Sequence, residues 1–436
     1  MMDAVEAYLQ KLPEFLALLA QEGEYLFAKV YAEETQYARL TQARVNQSGG
    51  IHQTSITLYL ANERAMVSAS LEGQLPENKH LDEMVRSLRS DLPWVPDDPW
   101  ISLNMTPQQQ STGKPWKPVD FDVLVNTLCA SAEDHDLVGS VLSGPQIFAV
   151  CSSLGHHLVH RGGGTMMDLS FFDAQYNAVK KLFQDPTIED IPEFFAGMIR
   201  DLRVLQRAPM ALNAGSYRAW LSPEALDELL GTLSWNGFST DAVRSGSSPL
   251  SQLYGGAKNL SQQVNLSETR AISGVPAFSD QGFVLPPEIS LVQAGHAVES
   301  LSSPRTAKEF DTCINSDFGF PMALHMETGD LPGNHIFEKI GTGLYIGRLW
   351  YTNISDPTTC RLTAMTRYDC FWVENGELLG PLAPMRIDSS LFQLLGDDLD
   401  AVGSEAKLIP ESHSYGQRAW GASRLPGVLT ALTITL

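Results

Sequence analysis

Two groups of residues have types and spacing that suggest chemistry. The stretch CSSLGHHLVH holds Cys151, His156, His157 and His160, which are zinc-ligand residue types. Their spacing argues against convergence. On a strand His156 and His160 share a face but stand about 13 Å apart at about 3.3 Å per residue, and His157 points to the other face. A tight turn over 152–155 could bring Cys151 near His156, which gives only two ligands. The expectation is ordinary strand histidines. The second group lies in LSPEALDELLGTL, residues 221–233. Ser222 is a good N-cap, and Pro223 fits the first helical position, where its missing N–H costs nothing. Leu226, Leu229, Leu230 and Leu233 form a stripe that must be buried. Glu224, Asp227 and Glu228 lie on the other side. Paired carboxylates could serve acid–base or metal chemistry. The helix contains no histidine to complete a zinc ligand set, so the expectation is an acidic, solvated outer face.

Two other stretches point to structure. In HRGGGTMMD the glycines at 162–164 run into strand-like residues, not a helix N-terminus. A bulged strand or close backbone packing is expected in place of a phosphate cradle. RSGSSPL, residues 244–250, is serine-rich, but no strand leads into it and no helix follows. It reads as a surface loop and not a nucleophile elbow.

The elements around these groups follow from periodicity. Residues 3–21 repeat at helical spacing. EYLFAKVYAEET, YARLTQARV and HQTSITLYLANERAMVSASLEG alternate with period two and read as an antiparallel meander broken at Ser48-Gly49-Gly50. Helices are expected near 80–92, 119–134 and 188–207, and the prolines of DLPWVPDDPW mark a surface connection. GSVLSGPQIFAVCSS and HHLVHRGGGTMMDLSFFD read as a strand pair. Beyond the helix at 222–233 the chain becomes short strands and Gly/Pro turns. Asn375-Gly376, set between apolar runs, signals a type I′ hairpin. The fold class is α+β. A domain over 1–215 carries helices on an antiparallel sheet, and a second over 216–436 is β-rich.

Composition bounds the function. The 436 residues include 51 acidic and 30 basic side chains, for a net charge of −21. That disfavours nucleic acid and anionic membrane surfaces as partners. Five cysteines, none in C-x-x-C spacing, fit reduced thiols in the cytoplasm. The opening MMDAVEAYLQKLPEFLALLA is acidic and does not read as a signal peptide, and no run of about 18 apolar residues suggests a membrane span.

The second half also resembles a known family. GSYRAWLSPEALDELLGTL, GSSPLSQLYGGAKNLSQQVNLSE, FSDQG, GTGLYIGRLWYTN and FWVENGELLGPLAPMRI, in this order and spacing, resemble the TldD/PmbA family from about residue 215 almost to the end. The TldD kind of subunit carries H-E-x-x-x-H on a helix after a short strand, has a further cysteine ligand downstream, and is a zinc peptidase. The TldE (PmbA) kind lacks the motif and forms a heterodimer with TldD. Here PEALDELLGTL stands where the metal helix belongs, so the chain resembles the TldE kind. RYDC, residues 367–370, departs from the glycine-containing turn often found before the hairpin, and Cys370 reads as a buried strand cysteine.

The resemblance implies a non-catalytic subunit of a cytosolic heterodimeric metallopeptidase acting on unfolded peptides. It implies no catalytic residue, no metal and no cofactor in this chain, with zinc in a TldD-type partner. The alternatives are an autonomous homodimeric hydrolase, or a binding or modulator protein without a peptidase partner. GTGLYIGRLWYTN, taken as one strand, puts Tyr345, Gly347, Leu349 and Tyr351 on one face as candidate peptide lining, equally readable as a core strand.

Overall fold

The computed structural model describes residues 1–132, 135–412 and 417–435. The chain builds two sheets. In the first, β1 (Tyr25–Thr41), β2 (Arg44–Ala61) and β3 (Met66–Gly73) form the expected meander. β4 (Gln109–Gly113), β5 (Asp136–Ser152), β6 (His157–Phe172) and β7 (Ala178–Gln184) complete it. The order is β3-β2-β1-β5-β6; β4 and β7 both pair with β6, β4 in parallel.

Ser48-Gly49-Gly50 does not break the meander. β2 runs through it, and the chain reverses at Gln42-Ala43, both at positive φ of about 50°. Gly49 instead makes room for Tyr37 on the neighbouring strand, whose ring would lie 3.1 Å from an added Cβ.

The two faces of β1 have different neighbours. Leu26, Ala28, Val30 and Ala32 pack under α1 (Met2–Leu19) and α2 (Asn78–Asp91), through Leu9, Leu12, Leu81 and Val85. Farther along that face, Ala38 and Leu40 join a cluster built on α3 (Phe121–Ser131) and α4 (Ile191–Leu205). Phe27, on the other face, packs with Val150, Leu158 and Phe278 of the second half. A sheet covered on both faces needs the near-continuous burial that β1 shows.

The second sheet has thirteen strands among the described residues. Its centre is the strand Ala422–Ile434, which pairs antiparallel with β8 (Gly215–Leu221). β8 in turn pairs in parallel with Gly343–Ile346, which continues to Cys370–Glu374 and Glu377–Pro381. The hairpin between those last two strands turns at Asn375-Gly376, with φ of 51° and 79°. α5 (Pro223–Leu233) follows β8 directly. RSGSSPL starts in the end of the short helix Thr240–Ser245 and leads into Ser251–Tyr254; residues 244–247 are exposed, as a surface loop requires, but 248–250 are buried and a helix does follow. Ser248 is buried there, donating to the Gly237 carbonyl and capping Leu250 N–H.

The halves are pinned where residues 417–421 cross the first sheet. Buried Arg418 donates to Thr35 Oγ1 and to the carbonyls of Gly144 and Gly164. An added Cβ at Gly162 would come 2.6 Å from the Trp420 ring, and one at Gly163 would come 2.2 Å from the Gly144 carbonyl oxygen. The triple glycine is therefore close packing on a continuous strand, not a phosphate loop.

Candidate functional site

α5 begins as expected. Ser222 Oγ accepts from Ala225 N–H and donates to the Gly347 carbonyl at 2.6 Å, tying the helix start to the neighbouring chain. The leucine stripe Leu226, Leu229, Leu230 and Leu233 is at most 2% exposed. The carboxylates are not on a solvated face. Glu224 is only 6% exposed, and Asp227 and Glu228 are half-buried. The sequence pattern located the leucine side correctly but could not show that a second layer covers the opposite side.

That layer brings the charges to a seam between the two sheets. Lys407 Nζ lies 2.6 Å from Glu224 Oε1. Lys181 of β7 lies 2.5 Å from Asp369 Oδ2. Arg348 Nε donates to the Lys180 carbonyl at 3.4 Å. Burial alone would raise the Glu224 carboxyl, but Lys407, Lys181 and Arg348 hold it at about 2. Burial likewise works against a charged Lys181, yet Asp369, Tyr345 and Glu224 leave its pKa above the ordinary lysine value. Asp227 behaves oppositely. Burial pushes it up to about 7; a hydrogen bond with Ser423 and the charge of Arg348 oppose this, and neighbouring Glu228 and Glu411 add to it. Asp369 Oδ1 and Arg348 Nη2 are buried with no hydrogen-bond partner among the described residues.

Two neighbouring carboxyls with pKa values pushed this far apart could serve as an acid and a base. A zinc ion does not fit. The best-placed carboxylate, Glu224, is already neutralised by a lysine at 2.6 Å, with Lys181 and Arg348 adding further positive charge. A divalent cation needs anionic or neutral donors without such competition. Among the described residues no three His, Cys, Asp or Glu side chains are grouped to hold a metal.

The candidate lining does not lie on one strand. The chain runs as Gly343–Ile346, breaks at Gly347-Arg348, and resumes as Leu349–Asp356 with different neighbours. Tyr345, Gly347, Leu349 and Tyr351 therefore do not share a face. Tyr345 packs its ring toward Phe337 and Phe371. Gly347 is pressed against Asp369, where an added Cβ would meet the carbonyl oxygen at 2.2 Å. Leu349 is a core residue, and only Tyr351 stands open, 73% exposed. Periodicity missed the break because the chain leaves the ladder at Gly347 and its partner changes.

The histidines are separated. His156 shares a 2.6 Å hydrogen bond with Ser152 Oγ across the β5–β6 turn. His160 bonds the Gly274 carbonyl and Thr112 and lies edge-on to Trp420; burial pushes its pKa down to about 4. His157 lies beside Arg161, and burial lowers its pKa. Cys370 is buried in its strand, its thiol pushed up to about 11 by burial, with Sγ donating to the Arg348 and Arg367 carbonyls.

The seam residues Lys181, Glu224, Arg348, Asp369 and Lys407 were not anticipated as a group. They come from five separate stretches, so no local motif reports them. Two lysines set between the apolar residues of AVKKLFQ were an available signal, and both are half-buried.

Comparisons with known proteins agree with this architecture. The fold is similar to the crystal structure of TldE from Thermococcus kodakarensis, with a TM-score of 0.82 at 15% identity, over 98% of this chain and 100% of that one. It is also similar to a protein from Thermotoga maritima described as a modulator of a DNA gyrase, TM-score 0.73 at 15% identity, over 98% and 100% of the two chains. A protein from Bacteroides thetaiotaomicron described as a modulator of DNA gyrase gives 0.75 at 15% identity, over 98% of each chain. No curated protein matches the chain in sequence. Residues 214–434 match the family model for the PmbA/TldA metallopeptidase C-terminal domain. That span is more than half of the 436 residues, and the chain belongs to the metallopeptidase-related PmbA/TldD family.

Proposed function

We propose that this chain is a TldE-like, non-catalytic subunit that pairs in the cytoplasm with a TldD-type zinc peptidase and helps hold an unfolded peptide. The observation that carries the reading is the Glu224–Lys407 pair, reinforced by Lys181–Asp369, on and around the helix where the resemblance places the metal helix of the active subunit. Lysines stand where a hydrolytic zinc would require open ligands and a water. Without the ion, neither an activated water nor a polarised carbonyl is available by that route. The chain's contribution is then orientation: walls and strand edges that align an extended peptide. Co-expression with a TldD-type subunit tests the reading. A stable complex carrying zinc in the partner, with none bound stoichiometrically by this chain after dialysis, supports it. About one zinc per copy of this chain, or failure to associate, contradicts it.

A second reading, an autonomous hydrolase, draws on Asp227, whose carboxyl is poised near neutrality beside the ionised Glu224. Peptide cleavage by the isolated chain that is abolished in Asp227→Asn would favour it.

A further inference from the structure

Outside the seam, the Arg367 guanidinium is held against aromatic rings. Arg367 Cζ lies 3.6 Å above the centre of the Trp350 ring and 4.6 Å from that of Tyr368. Trp350 in turn packs against Tyr351 at a tilt of 31°, with ring centroids 4.0 Å apart. Among the described residues the Arg367 guanidinium makes no ion pair, in a chain with 51 acidic side chains. A guanidinium held over aromatic faces has lost much of its rotational freedom and keeps its edge N–H groups available, the geometry that takes a carboxylate with two parallel hydrogen bonds.

The backbone is specialised at the same place. Tyr351 and Tyr368 both have positive φ, 50° and 61°, an uncommon state for a bulky side chain. The register of the strand Leu349–Asp356 shifts between Trp350 and Asn353. Bulges and left-handed non-glycine residues gather where a fold aims side chains at a ligand. The result is a fixed guanidinium on the Trp350 ring, with Tyr351, 73% accessible, packed against that same ring.

We infer that Arg367, Trp350 and Tyr351 form a clamp for the C-terminal carboxylate of a peptide, with the rings receiving the apolar part of its last residue. The clamp rests on the reading of this chain as a peptide-holding subunit and names which end of the peptide it holds. A single terminal carboxylate suits it better than an acidic segment, which the net charge of −21 repels.

The test measures binding of a fluorescent, N-acetylated hexapeptide of neutral sequence to the full chain by polarisation. Three forms are compared: free acid, C-terminal amide, and amide with one internal glutamate. The free acid should bind about tenfold or more tighter than the amide, as expected for a charge-assisted pair. Arg367→Ala should erase the preference. Arg367→Lys, which keeps charge and bulk but not the fork, should retain only a few-fold preference and guards against misfolding. Equal binding of acid and amide, binding of neither, or a preference that survives Arg367→Ala overturns the clamp. Recovery of full affinity by the glutamate-containing amide overturns the C-terminal assignment. Loss of the preference condemns the clamp even if a reconstituted complex cleaves peptides. An intact preference in a chain that never associates with a TldD-type subunit condemns the subunit reading instead.

Discussion

Glu224 and Asp227 sit three residues apart on one helix, and their surroundings shift their carboxyls in opposite directions. Lys407, Lys181 and Arg348 hold Glu224 low against its burial, whereas burial, with Glu228 and Glu411, raises Asp227 against the opposing Ser423 and Arg348. Replacing Glu224 by glutamine strands the positive charge it balances. Glu224→Gln should cost about 1–3 kcal/mol at neutral pH, less than a fully buried pair because Lys407 is 35% exposed, as read from chemical denaturation. Asp227 supplies a pH signature. Its folded pKa of about 7 lies above that of an unfolded aspartate, so its contribution is fully present below about pH 4 and is lost as pH rises through 7. Between about pH 5 and 8 the wild type should lose roughly 1–3 kcal/mol more stability than Asp227→Asn. Parallel pH profiles of the two proteins would contradict the buried environment assigned to Asp227. The sequence identified these carboxylates but not their state, because that of Glu224 depends on Lys181 and Lys407 on distant strands and that of Asp227 on its burial.

At the scale of elements, α5 was legible in detail: its Ser222 cap, its Pro223 start and its leucine stripe all follow from local rules, and all are present. Leu229→Ala should cost about 2–5 kcal/mol, measurable by denaturation, since the side chain is 2% exposed in the core of the second half. The Asn375-Gly376 hairpin was equally plain, because positive φ at two successive residues has a strong sequence signature. The turn at Gln42-Ala43 carries no such signature, which is why the nearby glycines at 49 and 50 drew the break to the wrong place. The stretch 343–356 failed for another reason. Period-two alternation continues across Gly347, but hydrogen-bond partners do not, and only the partners define a strand.

At the scale of the molecule, the helical and period-two stretches of the first half and the change of character near residue 215 indicated an α+β fold with a β-rich second half. The residues that join the halves were not legible, since Arg418 gives no local sign of the sheet it enters. Its guanidinium satisfies two buried carbonyls and Thr35, so Arg418→Ala should cost about 2–4 kcal/mol, seen as a lower denaturation midpoint. The central claim is that this seam of ion pairs makes the chain a peptide-holding, non-catalytic half. The most direct measurement is peptide cleavage by the chelator-treated chain alone and after addition of a zinc-loaded TldD-type subunit. The account predicts no cleavage alone and cleavage restored in the mixture. Robust cleavage by the isolated, metal-stripped chain would contradict it.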